Sequence, residues 1–210
     1  MANTNKVEEI YVIGAEDGFI YIDGNFDFVD PKGALFVAGL PHEVGVDDFI
    51  NNSLKLFRMS FGFRACSYDS HPPGHIEHRV LGIIHCLIGT EGEKYHPRLM
   101  EIYDQSDMRL PKGMDVEVMS FSIMLSPMFH YLVARLRQLD IKKIFVAGLA
   151  LNYCVIAAAV ALAEQGFEVF IVRDATRSVP HPYGEEEEFI KKRMEGYRIK
   201  FFYMDQLQAG

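Results

Sequence analysis

The chain has 210 residues, 49% apolar and 24% charged, the balance of a globular domain able to bury most of its apolar surface. A formal charge of −8 argues against nucleic acid or an anionic membrane as the main partner. Three cysteines, Cys66, Cys86 and Cys154, are an odd number at irregular spacing and do not read as a disulfide framework.

From the start of the chain, "MANTNKVEEIYVIGAEDGF" carries acids where a leader peptide needs bases. "GFIYID" reads as a strand ending at Asp23, "VGVDDFINNSLKLF" as a helix by its apolar spacing, and "FRACSY" as a second strand. "MFHYLVARLRQL" is an amphipathic helix, and "KIFVAGL" the strand that follows it. "YCVIAAAVALAEQG" reads as a helix stopped at Gly166, and its apolar run falls far short of the ~20 residues that span a bilayer. "EVFIVRD" is a continuous apolar strand, "GEEEEFIKKRMEG" a charged surface helix, and "YRIKFFYM" a last strand.

Continuous apolar strands imply burial on both faces. The alternation of strand and helix then predicts an α/β three-layer sandwich, with a mostly parallel sheet flanked by helices on both faces. No repeat or linker divides the chain, so residues 1–210 read as a single domain in a reducing, cytoplasmic setting. Ligands of such sheets bind beyond the carboxyl ends of the strands.

Three chemically able residues stand out: Asp23 ends "FIYID", Cys154 follows "KIFVAGL" and Lys112 begins "KGMDVEVMSF". A cysteine in the first turn of a helix faces unpaired N–H groups and the positive end of the helix dipole, which favours thiolate. Asn152 is placed to cap that helix. Each residue alone has an ordinary explanation, such as a core thiol, a turn acid or a solvated lysine. Together they supply a nucleophile with the base that it needs. "DSHPPGH" adds a second cluster. Its prolines forbid a helix, an extended course aims Asp69 and His71 the same way, and Gly74 lets His75 curl towards them. His78, within "EHR", reads as solvated surface, and His96 and His130 as structural.

In these stretches the chain resembles the nicotinamidase group of the isochorismatase-like cysteine hydrolases. "YIDGNFDFVDPKGAL" is similar to that family's opening motif, "LPKGMDVEVMSFS" to its lysine segment and "GLALNYCV" to its nucleophile segment. "CSYDSHPPGHIEH" and "HCLIGTEGEKYHPRL" resemble its metal loop and the stretch after it. The matches keep the family's order from about residue 18 to about residue 175.

The resemblance implies a catalytic triad of Asp23, Lys112 and Cys154. It also implies an oxyanion hole from the backbone amides of Ala150 and Cys154, with the Leu149–Ala150 peptide cis. It makes His85 the remaining ligand beside Asp69, His71 and His75, for one divalent ion, zinc ahead of iron or manganese. The implied reaction is hydrolysis of nicotinamide to nicotinate and ammonia through a thioester, in NAD salvage, with pyrazinamide as a side substrate.

Phe28, Phe121 and Tyr153 are the candidates to hold a flat ring. Gly82, Met119 and Phe121 depart from the family's pattern, and the chain has no tryptophan, so an altered pocket wall is expected. Two alternatives stay open: hydrolysis of another small amide, a ureido or carbamoyl compound, and a non-catalytic binding protein on the same fold. The expected partner is a small-molecule amide, with no nucleic acid and no membrane, and a homo-oligomer is left open.

Overall fold

The computed structural model describes residues 10–180 and 184–210; the first nine residues of the stretch read for a leader lie outside that range. The first half of the chain runs β1 (Tyr11–Ile13), β2 (Asp17–Ile22), α1 (Phe26–Val29), α2 (Val46–Phe57), β3 (Phe63–Asp69), α3 (Ile76–Leu81), α4 (Met100–Gln105) and β4 (Met108–Lys112). The second half runs α5 (Phe129–Gln138), β5 (Lys143–Leu149), α6 (Ile156–Glu164), β6 (Glu168–Arg177), α7 (Glu186–Met194), β7 (Ile199–Phe202) and β8 (Leu207–Ala209).

Six strands form one parallel sheet in the order β4-β3-β2-β5-β6-β7. Side chains alternate across it. Phe19, Tyr21, Phe145 and Phe170 face one layer with Phe49 and Leu56 of α2. Ile20, Ile22, Val146 and Ile171 face the other, packed on Leu132 and Leu136 of α5 and Leu162 of α6. Both faces are therefore dry, and the expected α/β three-layer sandwich is the fold observed. β1 and β8 pair in a separate small parallel sheet.

The strand order reverses between β2 and β5, where the chain winds outward in both directions, so a crevice opens at their carboxyl ends. The two strands come unusually close there: a Cβ on Gly148 would lie 2.0 Å from the Ile22 carbonyl oxygen, so no side chain fits. α6 ends as the sequence predicts, with Gly166 at φ 92°. β4 is a strand that the sequence hid behind Pro111. It lies at the sheet edge, where a missing N–H costs little. Among the described residues no helix is long and apolar enough to cross a membrane.

Candidate active site

Four strands deliver the chemistry to the crevice. Asp23 follows β2, Asp69 ends β3, Lys112 ends β4, and Cys154 lies in a wide turn, Leu151–Val155, between β5 and α6. All four side chains are buried.

Lys112 is the hub. Its Nζ lies 2.8 Å from Asp23 Oδ2 and 2.6 Å from Asp69 Oδ1, donates to the Ser120 carbonyl at 3.0 Å, and reaches Cys154 Sγ at 3.8 Å. Burial works against an ammonium here, but the Asp23 and Asp69 charges outweigh it and hold Lys112 well above the usual lysine range. One cation thus serves two carboxylates. Asp23 stands at φ 52°, in the left-handed region that aspartate tolerates better than most residues. Its Oδ1 accepts from Ser67 Oγ at 2.6 Å, and the same hydroxyl accepts the Asp23 N–H at 3.2 Å. Burial pushes the Asp23 carboxyl up to about 6, against the pull of Lys112.

The expectation of a thiolate set by helix position needs correcting. Burial raises the Cys154 thiol well above its ordinary value; Lys112 opposes the rise, and the Asp23 and Asp69 charges add to it. The buried site thus favours the protonated thiol, with Sγ 3.8 Å from Lys112 Nζ. Asn152 is no helix cap either. It donates to the Val179 carbonyl at 2.7 Å and accepts the Val179 N–H at 3.0 Å, which ties the turn to the segment after β6. The Leu149–Ala150 peptide is cis.

Beside Lys112 lies a second cluster. Asp69, His71, Glu77 and His85, all buried, present ligand atoms within 4.8 Å of one another. Each spends one polar atom on protein and turns the other inward. His71 Nδ1 faces the Gly113 carbonyl at 3.2 Å, and His85 Nδ1 faces the Ile83 carbonyl at 3.2 Å. Glu77 Oε1 accepts from Ser120 N–H at 2.5 Å and from its hydroxyl at 2.8 Å.

The inward atoms crowd together: His71 Nε2 is 3.7 Å from Asp69 Oδ2 and 3.8 Å from Glu77 Oε2, and His85 Nε2 is 3.5 Å from Glu77 Oε2. His71 Nε2, like His75 Nε2, is buried with no hydrogen-bond partner among the described residues. Roughly 3.4 Å separates donors that share a tetrahedral ion at ~2.1 Å. Two carboxylates and two imidazoles, oriented by outer partners, fit a divalent metal. A Cβ on Gly113 would strike the His71 ring at 2.2 Å, so this residue must be glycine for the histidine to fit.

His75, expected as a ligand, is placed outside this group of four. It precedes α3, and its Nδ1 accepts the Glu77 N–H at 3.2 Å, so it caps the helix that carries Glu77. The sequence hid Glu77 because "EHR" reads as solvated surface. In fact Glu77 and His78 are both buried, and His78 Nε2 contacts the His85 carbonyl at 2.7 Å. Asn25 carries no such signal in the sequence. It grips the Asp69 backbone, donating to its carbonyl at 2.8 Å and accepting its N–H at 2.9 Å.

These groups face a pocket of about 160 Å³, lined by Cys154, Ala150, Asp69, Glu77 and His85 on its polar side. Phe28, Phe121 and Tyr153 line it as expected, together with Leu35, Val37, Leu81 and Val179. Phe121 and Tyr153 lie 5.8 Å apart by ring centroid. Gly82 and Met119 are not among the lining residues, and Leu81 stands where an altered wall was expected at Gly82. A cavity of ~150 Å³ accepts benzene, so one six-membered ring fits this space.

Residues 123–197 match the isochorismatase domain family. An isochorismatase family protein of Bacillus subtilis, PncA, is 27% identical over 161 residues, 76% of this chain and 85% of its own length. A nicotinamidase of Acinetobacter baylyi is 24% identical over 71% of this chain and 76% of its own. Among solved structures, PnC1 of L. infantum with nicotinate superposes with a TM-score of 0.79 at 21% identity, covering 96% of this chain and 100% of that one. The pyrazinamidase of Pyrococcus horikoshii with zinc gives 0.67 at 26% identity, covering 90% and 99%. N-carbamoylsarcosine amidase of Thermoplasma acidophilum gives 0.67 at 19% identity, covering 90% and 96%.

Proposed function

We propose that this isochorismatase-family chain is a cysteine amidohydrolase, acting as one domain, that converts nicotinamide to nicotinate and ammonia in the salvage of NAD. The observation that carries the reading is the convergence of Asp23, Lys112 and the Cys154 thiol beside a pocket sized for one aromatic ring. Relatives named for nicotinamidase and pyrazinamidase activity support it.

With a carboxyl at about 6, Asp23 is ionised at neutral pH and is the base that the protonated thiol needs. Asp23 accepts the thiol proton as sulfur attacks the carboxamide carbon; the C–S bond forms and the carbonyl pair moves to oxygen. The Ala150 and Cys154 backbone amides stabilise that oxyanion. Asp23 then gives its proton to the nitrogen, the C–N bond breaks and ammonia leaves. Water attacks the thioester with Asp23 again as base, releasing nicotinate and the thiol. Lys112 stays charged throughout and keeps Asp23 from repelling the sulfur as it becomes negative.

Asp69, His71, Glu77 and His85 would hold one divalent ion, zinc ahead of iron or manganese. When bound, that ion supplies a Lewis acid for the ring nitrogen of a pyridine or pyrazine substrate. Phe28, Phe121 and Tyr153 supply aromatic contact for the ring.

Ammonia release from a panel of nicotinamide, pyrazinamide and carbamoyl compounds, compared with the Cys154→Ala protein, tests the reading. Nicotinamide turnover that the substitution lowers by about 10³-fold or more supports it. Equal release by both proteins contradicts it. The likeness to N-carbamoylsarcosine amidase favours a carbamoyl compound as the second substrate reading, and preference for that part of the panel selects it.

A further inference from the structure

The apolar side of the pocket is built from two segments far apart in sequence. Leu35 and Val37 stand on the loop between α1 and α2, and Val179 follows β6. Each is anchored near the reacting groups. Leu35 N–H donates to the Asp27 carbonyl at 3.1 Å and Val37 N–H to the Phe28 carbonyl at 2.9 Å. Val179 is held by Asn152, two residues before Cys154.

The two segments are joined by one carboxylate. Glu43 Oε1 accepts from Arg173 Nη1 at 2.8 Å and from Ser178 Oγ at 2.7 Å. Its Oε2 accepts from the Ser178 N–H at 2.8 Å and from the Leu40 N–H at 2.9 Å. Two of these donors lie on its partner segment immediately before Val179, and one closes its own loop. Arg177 adds a fourth bond across the junction, from Nη1 to the Val44 carbonyl at 2.9 Å. Its guanidinium lies so close under Gly39 that a Cβ there would meet it at 2.8 Å. The Glu43 side chain is only 5% exposed, so its charge-assisted bonds are poorly screened. None of the bonds that Glu43 makes reaches Asp23, Lys112 or Cys154.

We propose that Glu43 is a positioning residue that clasps the Leu35–Val37 loop to the end of β6, and so sets the apolar wall against which a substrate ring is held. It governs ring affinity and access to Cys154, not bond cleavage, because β2, β4 and β5 place the triad without it. The proposal rests on the amidohydrolase reading for the nature of the occupant.

Two measurements on Glu43→Gln and Ser178→Ala test it, with Asp17→Asn as control. Asp17 is a buried carboxylate that accepts from Tyr11 Oη and the Gly14 N–H at the opposite end of β2. The first measurement is KM and kcat for the amide turned over fastest. The second is the rate at which iodoacetamide alkylates Cys154, read by peptide mass, which needs no turnover. The clasp predicts that KM rises about tenfold with kcat within about twofold. It also predicts alkylation several-fold faster in both clasp variants and unchanged in the control. Unchanged KM and alkylation in folded Glu43→Gln overturn the proposal, as does an equal change in Asp17→Asn. If no amide is hydrolysed, the function reading fails while the alkylation comparison still decides on the clasp.

Discussion

At the scale of residues, the site is an exercise in sharing charge. Lys112 pairs with two carboxylates, Asp23 and Asp69, the second a member of the group that could hold a metal ion, so the two halves of the site are coupled through a single ammonium. Asp23 must be ionised to accept the thiol proton, and its carboxyl sits at about 6. Activity therefore rises with pH through that value, and a plot of log kcat/KM against pH should bend near 6 on its acid side, the bend vanishing with the residual activity of Asp23→Asn. The four-ligand group makes a separate prediction. Glu77→Gln should lose most of the bound metal in elemental analysis, whereas His75→Ala should retain it, since His75 stands outside the four. The reverse result would restore the ligand set expected from the sequence. Glu77 stands in that group where the sequence offers His75, for a physical reason: a glutamate in a helix first turn looks like solvated charge until tertiary packing buries it. Asp69 and His71 stand out because prolines and short spacing constrain a loop more than a helix, whereas His85 is reached only through the family resemblance.

Elements position these residues, and each does so by where it stops. Asp23, Asp69 and Lys112 sit at or just after the ends of three parallel strands, so register fixes their mutual distances. The pairing Asp69↔Lys112 in the β3–β4 ladder places the two side by side before any side chain is considered. β4 escaped the sequence reading because proline argues against a strand, and only edge placement makes it tolerable. The sequence reads the turn carrying Cys154 as a helix start, which locates the thiol, but burial and the Asp23 and Asp69 charges raise it more than Lys112 lowers it. The loop between α1 and α2 gives a prediction of its own. Although burial works against its charge, hydrogen bonds from Ser178 and Leu40 and the Arg173 charge hold the Glu43 carboxyl below its ordinary 4.5. A carboxyl depressed on folding contributes stability that is present above its unfolded value and is lost as pH falls through its folded one. Wild-type protein should thus exceed Glu43→Gln in urea midpoint at pH 7, with the gap closing below about pH 4.5. A gap independent of pH would show that the charge contributes nothing.

For the whole molecule, the α/β architecture was readable because the strands are apolar along their length and alternate with helices of clear period. The sheet order was not readable, since pairing order leaves little trace in local pattern, yet it decides the function. The reversal between β2 and β5 opens the crevice that Asp23 and Cys154 share. From the order of motifs alone, the convergence of residues 23, 112 and 154 is an inference; the sheet supplies its mechanical cause. The two cores on either face hold that sheet rigid, so the reacting groups are organised before substrate arrives. The most direct test is to mix the protein with nicotinamide, quench in acid during turnover and map the mass of the Cys154 peptide. The account predicts the pyridine carbonyl joined to Cys154 and absent from Cys66 and Cys86. Steady hydrolysis of nicotinamide by the Cys154→Ala protein, with no acyl group on the wild-type cysteine, would contradict it.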